Sequence, residues 1–427
     1  MTHSVSPTGF AARMTRWAGF SVVACYALFP TFPAPWFVAT VAFLACWLLA
    51  GHYRQRWQAI RGLPVTWISI GLCAVVVLWA LHPNADHQYA GMVFRKYAKV
   101  LLIPITMSLL VEPVWRRRSM NAFVGAMLFI LACVYIGIWL PLPWAVTQQT
   151  GWGITRTVVG DYITQGILMS FFVVLALDRG IAASRKAWRA VWWAVAALAV
   201  LSVTHLSQGR TGYLLLGIGV GAYVLFSLRG RTRWISLAVM VVLVAVTTLT
   251  SQAIRDRVEL GLSEAQRSDT MEITSIGGRV NFWRITLQMV EQRPLTGWGT
   301  GSYHREFCAQ VPERPDWCAF GNWHPHNQYL FFWMENGLPG VLFYAALVLA
   351  PLWAARRAPP GLRGLLVSFS AIFVFDSMIN AAMWSARENH FFSYMAALLL
   401  AEAGFRGRVA QAVGPTDSNC STQPSKA

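Results

Sequence analysis

The sequence predicts an all-α polytopic membrane protein with about twelve transmembrane helices and one large loop between helices 9 and 10. Three observations predict it. The 427-residue chain is 56% hydrophobic and only 12% charged, against roughly 25% charged in ordinary soluble domains. Its mean hydropathy is +0.46. Its apolar residues recur in stretches close to the roughly 17–25 residues that cross a bilayer.

Taken in order, the apolar stretches are 17–32, 35–51, 63–81, 97–112, 119–140, 162–178, 188–205, 212–228 and 234–252. A polar interval follows, and then 340–355, 364–383 and 390–405. The expected organisation is therefore transmembrane helices 1–9 over 1–252, a periplasmic loop with helical segments over 253–339, and helices 10–12 over 340–405. A disordered cytoplasmic tail is expected over 406–427. Met1 to Met14 is polar and small, with no cleavage signal after the first apolar stretch, so that stretch reads as a retained span. The apolar segment 327–336 is too short to cross alone. Gly337 and Gly340 follow it and are expected to break the helix, leaving 327–336 along the membrane surface.

The formal charge of +17 falls in clusters at every second connection. Arg13 and Arg16; Arg54, Arg56 and Arg61; Arg116, Arg117 and Arg118; Arg179, Arg185, Lys186 and Arg189; Arg229, Arg231 and Arg233; Arg356, Arg357 and Arg363; and Arg406, Arg408 and Lys426 form one set. The short alternate loops carry only Arg95, Lys96, Lys99, Arg156, Arg210 and Arg387. Basic loops stay cytoplasmic, which puts both termini inside and the long loop outside. This pattern needs no polyanionic partner, and no basic-aromatic module argues for nucleic acid.

Four of the seven cysteines, Cys25, Cys46, Cys73 and Cys133, lie in spans and read as packing residues; Cys420 lies in the tail. Cys308 and Cys318 share the outer loop, where an oxidising compartment permits a disulfide.

The outer face should be poor in arginine, so Arg156, Arg210 and Arg279 stand out. Guanidinium groups bind phosphate through paired hydrogen bonds of fixed geometry, and three on one membrane face suit a pyrophosphate. The competing reading is that each anchors at headgroup level. Arg95 and Lys96, with Lys99, form a second outer basic group that reads first as interfacial anchors. His324-Pro325-His326-Asn327 supplies two imidazoles, which accept protons near neutral pH. Pro325 disfavours helix for the residue before it. Asn327 is a candidate for orienting the histidine. The outer loops show no Asp-x-Asp, and Asp161, Asp269, Glu272 and Glu388 are scattered in sequence, so no divalent-metal site is expected.

Several of these stretches resemble a known family. His326-Asn327, nine residues, then Gly337-Leu338-Pro339-Gly340 resembles a pattern of the bacterial O-antigen ligases. Gly278-Arg279, Trp283 and Pro294-Leu295-Thr296-Gly297-Trp298-Gly299 are similar to the wider O-antigen ligase and polymerase superfamily, as is Gln208-Gly209-Arg210-Thr211-Gly212-Tyr213. The resemblance implies a GT-C-type membrane glycosyltransferase, free of metal and cofactor. It implies transfer of O-antigen from undecaprenyl pyrophosphate to lipid A-core on the periplasmic side of the inner membrane. His326 matches the catalytic histidine, Arg210 and Arg279 match arginines that handle the pyrophosphate, and Arg156 joins them with less motif around it. The alternatives are an O-antigen polymerase, a protein O-oligosaccharyltransferase, and a lipid-linked glycan transporter. The last would favour ionisable residues inside the spans, where Asp376 is the main exception to their absence.

Overall fold

The computed structural model describes residues 9–266 and 274–412, and among them the chain is helical without strands. In order the helices are α1 (Phe10–Leu28), α2 (Pro33–Leu49), α3 (Tyr53–Ile60), α4 (Pro64–Trp79) and α5 (His87–Tyr97). A 3-10 turn (Ala98–Leu101) leads into α6 (Leu102–Leu109), α7 (Pro113–Ile136), α8 (Tyr162–Ala182), α9 (Lys186–Thr204), α10 (Arg210–Ser227) and α11 (Gly230–Thr250). Then come α12 (Gln252–Gln266), α13 (Ser275–Gln292), α14 (Tyr303–Ala309), α15 (Pro315–Gly321), α16 (Gln328–Ala355), α17 (Pro360–Ile379) and α18 (Ala386–Ala412).

Seven of the described helices are long and apolar enough to cross a membrane: α7, α8, α9, α10, α11, α16 and α17. The number rises to eight if α2 and α3, bent by 111° at their junction, count as one span. This is fewer than the twelve stretches expected. The physical reasons are local. The helix α4 has only 16 residues, and the expected fourth span is divided by the 3-10 turn, leaving α6 at 8 residues. The first turns of α1 and α18 carry charge at Arg13 and at Arg387 and Glu388. The α18 helix also runs on to Ala412, into the stretch expected as tail; the remainder of that tail, with Cys420, lies outside the described residues. So do Asp269 and Glu272.

Proline opens α2, α4, α7 and α17, where its missing N–H costs nothing and its fixed φ suits the first turn. Four other helices are capped by side chains instead. Asp86, Asp161, Thr274 and Asn327 accept from first-turn amides of α5, α8, α13 and α16. Such a cap contributes about 1 kcal/mol.

The core is a bundle of α8, α10, α16, α17 and α18 packed through aromatic rings. Phe373 stacks on Phe392 with centroids 4.0 Å apart, and Phe171 and Phe369 pack edge-to-face. Helices α8 and α10 touch at Gly166 and Gly212, where a Cβ on Gly166 would lie 3.2 Å from the Gly212 Cα. Small residues permit that backbone approach, and it sets the start of α10 beside the start of α8. The α11 helix buries no residue, as expected of a helix that faces lipid.

Candidate active site

The centre of the site is the turn Trp323–Asn327. His326 takes φ +53, a left-handed conformation that histidine adopts more readily than most residues. Three neighbours fix it. The Asn327 Oδ1 accepts from the Tyr329 and Leu330 amides at 3.0 Å each, so Asn327 caps α16. That corrects the expectation that it orients the imidazole: it holds the backbone of the next helix. The His324 Nδ1 accepts from the His326 amide at 3.3 Å, which requires the His324 proton to sit on Nε2. Pro325 keeps His324 extended. His324 is therefore a turn former, and the two rings lie 4.4 Å apart.

Gln328, fully buried, locks the start of α16. It donates to the Tyr97 hydroxyl at 2.8 Å and accepts from the Met383 amide at 2.9 Å. On the other side, Phe282 of α13 stacks on His326 with centroids 6.2 Å apart and planes within 14°. Phe282 also packs on Phe307 and Trp317, which belong to the hairpin closed by the Cys308–Cys318 disulfide.

Leu295–Gly301 serves a structural purpose. At Gly337 (φ +62) α16 breaks, and Pro339 has no amide to offer. The carbonyls of Met334 and Glu335 are thereby freed, and the Trp298 and Gly299 amides bond them at 2.9 and 2.8 Å. Leu338 N–H returns a bond to the Leu295 carbonyl at 3.1 Å. Unpaired backbone groups at this depth would cost several kcal/mol each. A Cβ on Gly297 (φ +65) would lie 2.6 Å from the Gly337 nitrogen, so the staple admits no side chain there.

Arg279 is the fifth residue of α13 and Arg210 opens α10. Arg210 Nη1 pairs with Glu264 Oε2 of α12 at 3.0 Å, and the same oxygen accepts from the Ile276 amide at 3.2 Å. Glu264 thus ties the start of α10 to the start of α13. The Arg210 Nη2 is buried without an acceptor among the described residues. Arg279 makes no hydrogen bond or ion pair with any described residue, although Arg210, Glu264, Asp376 and Tyr162 all lie within electrostatic range. Burial, then the Arg279 charge, pulls His326 down from its ordinary value to about 4. Burial and the charges of His326, Lys96 and Arg279 hold His324 well below its ordinary value.

The other predicted site residues fall elsewhere. Arg156 is buried, and its guanidinium donates to the Gln149 and Gly151 carbonyls of its own loop. No described contact joins it to Arg210, Arg279 or His326, so its guanidinium supports the loop before α8 and is not in the cationic pair. Arg95 is exposed and donates to the Gly91 carbonyl at 3.3 Å. Lys96 faces inward: its Nζ donates to the Trp384 carbonyl at 2.9 Å and lies 4.1 Å from the Trp384 ring centroid. Trp384 in turn packs edge-on against His324 at 5.7 Å.

Carboxylates that are scattered in sequence come together in space. Thr164 Oγ1 contacts both Asp161 at 2.8 Å and Glu388 at 2.9 Å. Asp376, fully buried, accepts from Asn380 and leaves Oδ2 without a partner among the described residues. No group of three or more His, Cys, Asp or Glu among the described residues has the arrangement of a metal site. Sequence reading missed Glu264, Phe282 and Trp384, and no local motif marks them; only the fold places them around His326.

Residues 195–345 match the family described as O-antigen ligase, a stretch that contains Arg210, Arg279 and His326. That match supports membership of the O-antigen ligase/polymerase superfamily. An uncharacterized protein of Haemophilus influenzae is 26% identical over 199 residues, which span 44% of this chain and 48% of the relative. The chain thus matches about half the length of that curated relative. Members of that family are glycosyltransferase-like ligases or polymerases, and the long apolar helices of this chain fit a multi-pass membrane protein.

Proposed function

We propose that this chain is an O-antigen ligase, an inverting glycosyltransferase of the GT-C type that works at the periplasmic face of the bacterial inner membrane. It crosses the membrane about twelve times, with both termini cytoplasmic. The donor is a glycan on undecaprenyl pyrophosphate and the acceptor is lipid A-core. The observation that carries this reading is the pair Arg210 and Arg279 beside His326. Arg210 has a buried N–H without an acceptor, and Arg279 has no described partner, in a place where a diphosphate would satisfy both.

The acceptor hydroxyl attacks the anomeric carbon and the bond to the diphosphate oxygen breaks. His326 takes the hydroxyl proton, and undecaprenyl pyrophosphate leaves with the electron pair. The imidazole is neutral at physiological pH because burial and Arg279 disfavour its charged form. It gains basicity when the donor's anionic phosphates arrive, since nearby negative charge favours imidazolium. Arg210 and Arg279 stabilise the charge that grows on the leaving oxygen. One displacement inverts the anomeric configuration. The Cys308–Cys318 disulfide supports an oxidising compartment for this face.

The test is reconstitution in vesicles with lipid-linked donor and lipid A-core. Replacing His326 with Ala is expected to cut transfer by about 10²–10⁴-fold, the usual contribution of a positioned base, and transfer is expected to survive EDTA. Full activity in the variant removes the base. Lipid-linked glycan or a Ser/Thr peptide as the preferred acceptor would make the chain a polymerase or a protein oligosaccharyltransferase.

A further inference from the structure

The histidine turn has two walls. The Phe282 wall leads to Arg279 and Arg210. The opposite wall runs from His326 to His324 at 4.4 Å, to Trp384 at 5.7 Å, and to the Lys96 ammonium 4.1 Å from the indole. A lysine that merely anchors at headgroup level extends its ammonium outward to water. Lys96 does the reverse: it is half-buried and drawn inward onto the Trp384 carbonyl and ring. Lys99, one turn on, is also half-buried, and its ammonium has no acceptor or carboxylate partner among the described residues. It lies within electrostatic range of Lys96 and of His390.

A second observation points to a missing anion. His390 is buried and its ring lies 3.9 Å from that of Trp36, whose Nε1–H is buried without an acceptor among the described residues. Two half-buried ammonium groups without a carboxylate make a site for a compact, strongly charged anion.

We propose that Lys96 and Lys99 bind a phosphate ester of the acceptor glycolipid, so that the His324–His326 turn stands between an acceptor anion site and the donor diphosphate site. This rests on the transferase reading above. It assigns the outer basic group of α5 and the following turn to the acceptor, and the arginines to the donor. The chain then selects acceptors by a charge near the receiving hydroxyl.

The experiment uses the full chain in phosphatidylcholine vesicles, with lipid-linked donor and either lipid A-core or phosphatase-treated lipid A-core. The intact acceptor is expected to be preferred by about tenfold in kcat/KM, the worth of one charge-assisted contact. Lys99→Gln is expected to bring that preference close to one, and Lys99→Arg to retain it. Adding phosphatidylglycerol is expected to leave the preference in place. Equal use of both acceptors by the unaltered chain, or a preference that Lys99→Gln leaves intact, overturns the proposal. So does a preference abolished by phosphatidylglycerol, which would make the site one for bilayer lipid. Absence of transfer to either acceptor overturns the transferase reading itself, and so is distinguishable from failure of this site.

Discussion

In the proposed reaction His326 carries the heaviest chemical demand, and its surroundings set when it can act. Burial and Arg279 bring it to about 4, so the free protein keeps a neutral imidazole at every pH above that value. The acidic limb of kcat/KM is therefore expected near pH 4, well under the 6.5 of an exposed histidine. Arg279→Gln removes a positive neighbour, which should raise the imidazole and move the limb toward neutral pH; a limb that stays fixed contradicts the coupling. Arg210 and Arg279 stood out in sequence because arginine is out of place in the short loops expected to face outward. Arg156 met the same criterion, yet two of its guanidinium nitrogens donate to backbone carbonyls of its own loop, while Nε is buried without an acceptor among the described residues. Charge placement names candidates, but only the partners of each N–H separate ligand from scaffold. Asn327 shows the same limit: its place in the motif was visible, while its work as a helix cap depends on the amides of Tyr329 and Leu330.

The helices were legible where hydropathy runs unbroken and were misjudged where a helix breaks. The stretch 97–112 reads as one span, but a 3-10 turn divides it. The break after Asn336 was readable from Gly337 and Gly340, and the structure places it at Gly337. The segment that repairs it, 295–301, was not, since the pairing joins residues far apart in sequence. Gly297→Ala places a Cβ against backbone in a left-handed conformation, at a cost of about 2 kcal/mol or more. Thermal unfolding in detergent is expected to show a lower Tm together with lost transfer; an unchanged Tm contradicts the staple. Removing the Cys308–Cys318 bond by a double Ser substitution should cost about 2–4 kcal/mol. Because Phe282 bridges that hairpin to His326, transfer should fall with it. A variant of full stability and full rate would make the hairpin irrelevant to the site.

For the molecule as a whole, alternating basic and non-basic connections predict the layout. Arg210, Arg279, His326, Lys96 and Trp384 come from five separate segments of the chain and gather at one end of the bundle. Arg116 and Glu402 pair at 2.6 Å in segments expected to face the cytoplasm. Impermeant maleimide is therefore expected to label Gln88→Cys in spheroplasts and to leave Ser184→Cys unlabelled until the membrane is opened. The reverse pattern would put the histidine on the cytoplasmic side. What sequence could not supply was convergence, since no period or motif says which loops meet.

Binding of undecaprenyl pyrophosphate to the purified chain in nanodiscs tests the division of labour most directly. Arg279→Gln and Arg210→Gln are each expected to weaken binding by about tenfold or more, the loss of a charge-assisted contact. His326→Ala should bind within about threefold of the unaltered chain while transferring little glycan. Arginine variants that bind normally, or a histidine variant that loses binding and keeps its turnover, would contradict a diphosphate held by guanidinium beside a single imidazole base.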